Sequence, residues 1–265
     1  MTHPSNPAGR LHSILRTAAN GDPKTRVLDV WANVFGISES DDLIVTRHLL
    51  ALNETVDEVE RLIRENPSLN HAKYLAGFSE VRVALRPIYL QSNRGIISNN
   101  VTSEVLTRLE FCDEELHRYY SEEVLSQEDL ADISEATNVL FELVASTVHD
   151  ATLRIVLLEG LEKIRIALSL YRIHGAKGLK TSLQNLLGLV FTEQAAIKIE
   201  KVKSADVIAK LGALLEKLDS FSAKALRVHK VLTKPVRFLI DWLAKDSSDI
   251  PNDSPVDQFS IGVEI

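Results

Sequence analysis

Eight apolar residues, Val207, Leu211, Leu214, Leu218, Phe221, Ala225, Val228 and Leu232, follow one another at spacings of four, three, four, three, four, three and four. Such spacing puts the whole set on one face of an α-helix that packs along its length in coiled-coil fashion. Elsewhere period-two alternation is scarce, Leu and Ala outnumber β-branched residues in most apolar stretches, and only eleven glycines serve 265 positions. The sequence predicts an all-α fold, a multi-helix bundle of about nine or ten helices.

Local signals divide the chain. Pro7 suits the first turn of a helix to Ala19, stopped at Asn20-Gly21, and a second helix runs from Lys24 to Phe35 with Gly36 just past its end. Ser40 reads as the N-cap of a third, with Asp41 and Asp42 in its first turn and Pro67 setting its end at Asn66. A fourth is expected over 68–91 with a kink at Pro87, then a turn-rich connector, SNRGIISNN, and a helix capped by Thr102 or Ser103. Ser126 with Asp129 starts the next, and Asp150 offers a fresh N-cap, although 127–174 could also run as a single helix. Residues 151–174 are apolar around most of the helix, which predicts a central helix enclosed by others. Gly175 then supplies a left-handed helix stop, with Arg172 and His174 at the negative end of the dipole and a new helix from Leu179.

The expected organisation is one helical domain over 1–245, with 1–100 as a candidate subdomain, and an acidic, disordered tail over 246–265. The formal net charge of −7 is unevenly spread. Residues 198–245 hold eleven Lys/Arg against five Asp/Glu, or +6, the tail holds five acids and no base, or −5, and −8 is left for 1–197. Opposite fields on one chain favour mutual packing or self-association as readily as an outside anion. Cys112 is the single cysteine, which rules out an intramolecular disulfide and suits a reducing cytoplasm. No apolar run approaches the ~20 residues that span a bilayer, and the start of the sequence lacks a signal-peptide pattern.

Few residues are arranged for chemistry. Glu114 and His117 stand at i and i+3, half of a carboxylate-bridged di-iron motif, but no second Glu-x-x-His occurs, so no metal and no cofactor are expected. Arg64 and His71 are separated as in helical ribonucleases of toxin systems, although Pro67 puts the pair across a corner. GAKG at 175–178 lacks the spacing of a phosphate-binding loop, and no nucleophile elbow or dinucleotide fingerprint occurs. Cys112 lies in an acidic run that raises its thiol pKa.

The remaining candidate is a column of lysines, Lys210, Lys217 and Lys224, one heptad apart beside the apolar seam. Their stems can cover the seam while the ammonium groups meet an acidic surface of the chain itself or of a partner. The sequence thus points to a non-enzymatic helical interaction or scaffold module whose partner is protein, a second copy included. Two alternatives remain: a metal-independent ribonuclease built on Arg64 and His71, and binding of nucleic acid or an anionic membrane surface through the basic C-terminal helices.

Overall fold

The computed structural model describes residues 6–37, 41–120, 122 and 124–226, except for the side chains of residues 202 and 224–226. About 80% of these residues are helical and none lies in a strand, so the protein is an all-α multi-helix bundle. Thirteen α-helical segments and one 3-10 turn are formed among the described residues, more than the nine or ten expected. The extra segments are short and come from breaks in stretches that the sequence pattern reads as continuous. The end of the heptad seam, at Val228 and Leu232, the helix expected around Phe238 and Trp242, and the acidic tail lie outside the described residues.

The chain divides into two compact units. Unit 1 comprises Met1–Val124 together with Arg172–Gly175, and unit 2 comprises Leu125–Tyr171 with the chain from Ala176 onward.

In unit 1, α1 (Pro7–Ala19) packs on α2 (Val27–Phe35), α3 (Asp42–Arg64) and α7 (Ser103–His117). Eight of its thirteen residues are buried, Arg10 among them. Asn6 caps it by accepting from the Gly9 N–H at 3.1 Å, while its amide donates to the Asp113 carboxylate of α7 at 2.6 Å. A side chain at Gly9 would put its Cβ 2.7 Å from that carboxylate, so the absence of one lets α1 and α7 approach. Asp41, and not Ser40, caps α3, its carboxylate accepting from the N–H groups of Leu43 and Ile44.

The helix expected over 68–91 is three pieces: α4 (His71–Tyr74), α5 (Phe78–Ala84) and a 3-10 turn at Pro87–Tyr89. Gly77 makes the first break, with φ of +88° and a would-be Cβ 2.8 Å from Val105. Pro87, which cannot donate a backbone hydrogen bond, makes the second. The connector after it is partly helical, as α6 (Gly95–Asn100).

In unit 2, α8 (Gln127–Thr147) and α9 (Ala151–Ser169) are separate helices. Ser126 and Asp129 close a capping box on α8, and Asp150 caps α9 by accepting from Leu153 N–H at 2.9 Å. After α10 (Tyr171–His174) follow α11 (Ala176–Thr192), α12 (Gln194–Lys203) and α13 (Ala205–Leu226). Helix α9 is not enclosed on all sides as expected; it packs between α8 and α11. Leu153, Leu157, Leu161 and Ile164 are buried there, whereas Ile155 is 57% exposed. Close approach to α11 is made at Gly160, where an added Cβ would lie 2.9 Å from Leu186 and from Leu189. The seam of α13 is buried at Val207, Leu211, Leu214 and Leu218, against α8, α11 and α12.

Candidate functional site

The turn that opens with Arg172 is held by a buried ion pair, Arg10 with Glu122. Gly175 takes φ of +62°, the left-handed stop that the sequence predicts. The basic residues before it are not at the end of α9, which stops at Ser169, but in the last turn of the short helix Tyr171–His174. Arg172 instead donates to the Val34 carbonyl at 2.9 Å, and His174 Nε2 lies 3.3 Å from a Glu54 carboxylate oxygen. Arg10 of α1 donates from Nε to the Ile173 carbonyl at 2.9 Å and from Nη2 to the His174 carbonyl at 3.3 Å. Its Nη1 pairs with Glu122 at 2.9 Å, both side chains being under a tenth exposed. Tyr120 completes the set by donating its hydroxyl to Glu122 at 2.8 Å.

A buried guanidinium is tolerable only when its donors and its charge are answered, and here two carbonyls and a carboxylate answer them. Glycine is required at 175 twice over. Its backbone is left-handed, and a Cβ would meet both the Glu122 carboxylate and, at 2.7 Å, Arg10 Nη1. Burial, with Glu122 beside it, raises the Tyr120 phenol above its ordinary range. Burial lowers the pKa of His174 against the opposing pull of Glu54. Arg10, Glu122 and Tyr120 are engaged with one another and fix the turn, whereas the buried His174 Nε2 lies near Glu54 without a hydrogen bond among the described residues. Nothing local in the sequence marks it: Arg10 and Glu122 are 112 positions apart, and Arg10 and Ile173 are 163 apart.

Arg64 lies at the C-terminal end of α3 and lines an open depression of about 430 Å³ with Asp57, Glu60, Arg61 and Glu65. His71 is not among the residues that line it. Its Nε2 lies 2.9 Å from the Asn66 carbonyl, closing the turn after Pro67, which commits that nitrogen to donating. Asp57 and Glu60 are held by Arg82 at 2.8 and 3.0 Å, and Arg61 pairs with Glu65.

Glu114 and His117 are exposed on α7, and no group of three or more His, Cys, Asp or Glu able to hold a metal occurs among the described residues. Cys112 is buried with its thiol pushed up to about 12. Burial is the main cause and Asp113 the lesser one, so the acidic run is not what chiefly silences it.

The lysines of α13 are spent in different ways. Lys217 reaches α8, 3.2 Å from the Asp132 carboxylate, whereas Lys210 pairs within its own helix with Asp206 at 3.6 Å. The Lys224 side chain lies outside the described residues.

One more cluster in unit 2 brings serine, histidine and glutamate together. Glu200, 1% exposed, accepts at a single oxygen from Ser204 Oγ at 2.8 Å, the His149 N–H at 3.3 Å and His149 Nδ1 at 3.4 Å. Desolvation raises the pKa of this carboxyl, but the hydrogen bonds from Ser204 and His149 outweigh it and leave it lowered. Serine and histidine both bind the acid rather than each other, so no proton relay from hydroxyl to imidazole is assembled.

No family model matches the chain, and neither a curated protein nor a solved structure resembles it.

Proposed function

We propose that the protein is a helical interaction module that binds protein, with a second copy of itself as the first partner to test. The supporting observation is the flank of α9 that its own neighbours leave uncovered. Contacts of Gly160 with Leu186 and Leu189, and of Ser182 with the Lys163 carbonyl, run in opposite directions along the two helices, so α9 and α11 are antiparallel. That register carries Ile155, 57% exposed, toward the end of α11 where Phe191 is 41% exposed. Exposed apolar side chains at one end of a helical pair are a basis for association where they share a face.

The ribonuclease reading draws on the Arg64 and His71 spacing, and it is tested by incubating the purified chain with total RNA. The interaction reading predicts no cleavage above a buffer control. Cleavage that disappears in His71→Ala would replace it with the enzymatic one. Polyanion or anionic-membrane binding through the C-terminal lysines draws on the +6 charge of residues 198–245. It would show as binding that weakens steeply with salt.

A further inference from the structure

Asn20-Gly21 is the one place in the 265 residues where an asparagine precedes a glycine. The pair follows the end of α1 at Ala19, and both residues are exposed. Asn20 has left the helix, with φ of −86° and ψ of 133°. Among the described residues neither the Asn20 carboxamide nor the Gly21 N–H takes part in a hydrogen bond, so nothing holds the two groups apart.

The chain that passes beside this turn supplies a cation. Arg94 N–H donates to the Thr25 carbonyl at 2.7 Å, Gly95 N–H to Pro23 at 3.3 Å and Val27 N–H to Ser92 at 2.8 Å. That pairing lays the Arg94 side chain over Gly21, where an added Cβ would stand on its Nη1. Nη1 also donates to the Asp22 carbonyl at 3.5 Å, while Nε is buried without a hydrogen bond. No carboxylate pairs with this guanidinium among the described residues, which leaves its charge unanswered.

We propose that Asn20 is a deamidation site of the folded chain and that the Arg94 guanidinium promotes the reaction. The Gly21 nitrogen gives up its proton and attacks Asn20 Cγ. The bond from Cγ to the amide nitrogen then breaks, that nitrogen takes a proton and leaves as ammonia, and a succinimide ring closes. One water opens the ring at either carbonyl, giving aspartate or isoaspartate at position 20. Glycine at 21 matters because no side chain shields its nitrogen from the carboxamide. Arg94 stands beside negative charge at each stage: on the nitrogen as its proton departs, on the oxygen of the tetrahedral intermediate, and on the product carboxylate. A carboxylate at the end of α1 opposes the helix dipole, and pairing with Arg94 offsets that. Isoaspartate also adds a backbone carbon just before the stretch 23–27, whose bonds to 92–95 it loosens. This chemistry is independent of the interaction reading.

Incubation of the full chain at neutral pH, followed by peptide mapping with mass spectrometry and by isoaspartyl methyltransferase labelling, tests this. Isoaspartate and aspartate are expected at position 20 ahead of any other asparagine. Arg94→Gln should slow the conversion about threefold, and Arg94→Lys, which keeps the charge, should restore most of the rate. Raised ionic strength tests the charge without a substitution, and it should slow the wild type. An Asn20 that stays intact in the folded chain while the urea-unfolded chain converts would overturn the proposal. Conversion to aspartate without isoaspartate would do the same, because it bypasses the ring. So would a rate indifferent to salt, or an unchanged or faster rate in an Arg94→Gln variant with wild-type circular dichroism.

Discussion

At the scale of single residues, two glycines with nearly the same backbone separate conformation from space. Gly36 has φ of +73° and nothing within 4 Å of a would-be Cβ, whereas Gly175 has φ of +62° and two buried charged groups in the way. Gly36→Ala should therefore cost only the left-handed penalty, about 1 to 2 kcal/mol. Gly175→Ala should cost clearly more, because the Arg10 and Glu122 pair must shift, and urea unfolding of the two variants measures the difference. Removing one partner of that pair tests the same turn from the other side. Glu122→Ala strands a buried guanidinium and should destabilise by about 3 to 5 kcal/mol. His174 adds a pH dependence. Its native pKa is lowered by burial below the ordinary 6.5, so the native state favours the neutral ring. The stabilisation is complete above 6.5 and is lost as the pH falls through that value toward the native pKa. Unfolding at about pH 7.5 and 5.5 should show a smaller loss in His174→Gln than in the wild type.

At the scale of elements, what could be read in the sequence is what local chemistry decides. Gly36, Ser126, Asp150 and Gly175 each stop or start a helix through their own backbone or a side chain within three positions, and each does so in the structure. Asp150→Ala should therefore cost about 1 kcal/mol of unfolding free energy, and Asp150→Asn, which can still accept from Leu153 N–H, much less. The break at Gly77 was less legible because a glycine inside a helical pattern is tolerated, and what reserves the position for glycine, a φ of +88° and Val105, 28 positions on, where a side chain would stand, comes from the fold. The enclosure of α9 was misjudged for a related reason. An apolar circumference shows which residues seek cover but not how many neighbours arrive, and unit 2 supplies two. Least legible was the Arg10 network, whose partners are joined only by the fold; the fold does not bring His71 to the depression that Arg64 lines, and no group of three or more His, Cys, Asp or Glu able to hold a metal forms among the described residues.

At the scale of the whole molecule, the account makes association a consequence of apolar surface that the helices do not cover among themselves. The direct measurement is sedimentation equilibrium of the full chain over a concentration series, with the Ile155→Glu, Phe191→Glu double variant run beside it. The chain mass is 29.5 kDa. The account predicts a wild-type mass that climbs toward twice that value with concentration, and a double variant that stays at the single-chain mass with an unchanged helical spectrum. A wild type that remains at the single-chain mass throughout, or a double variant that associates as the wild type does, would contradict it.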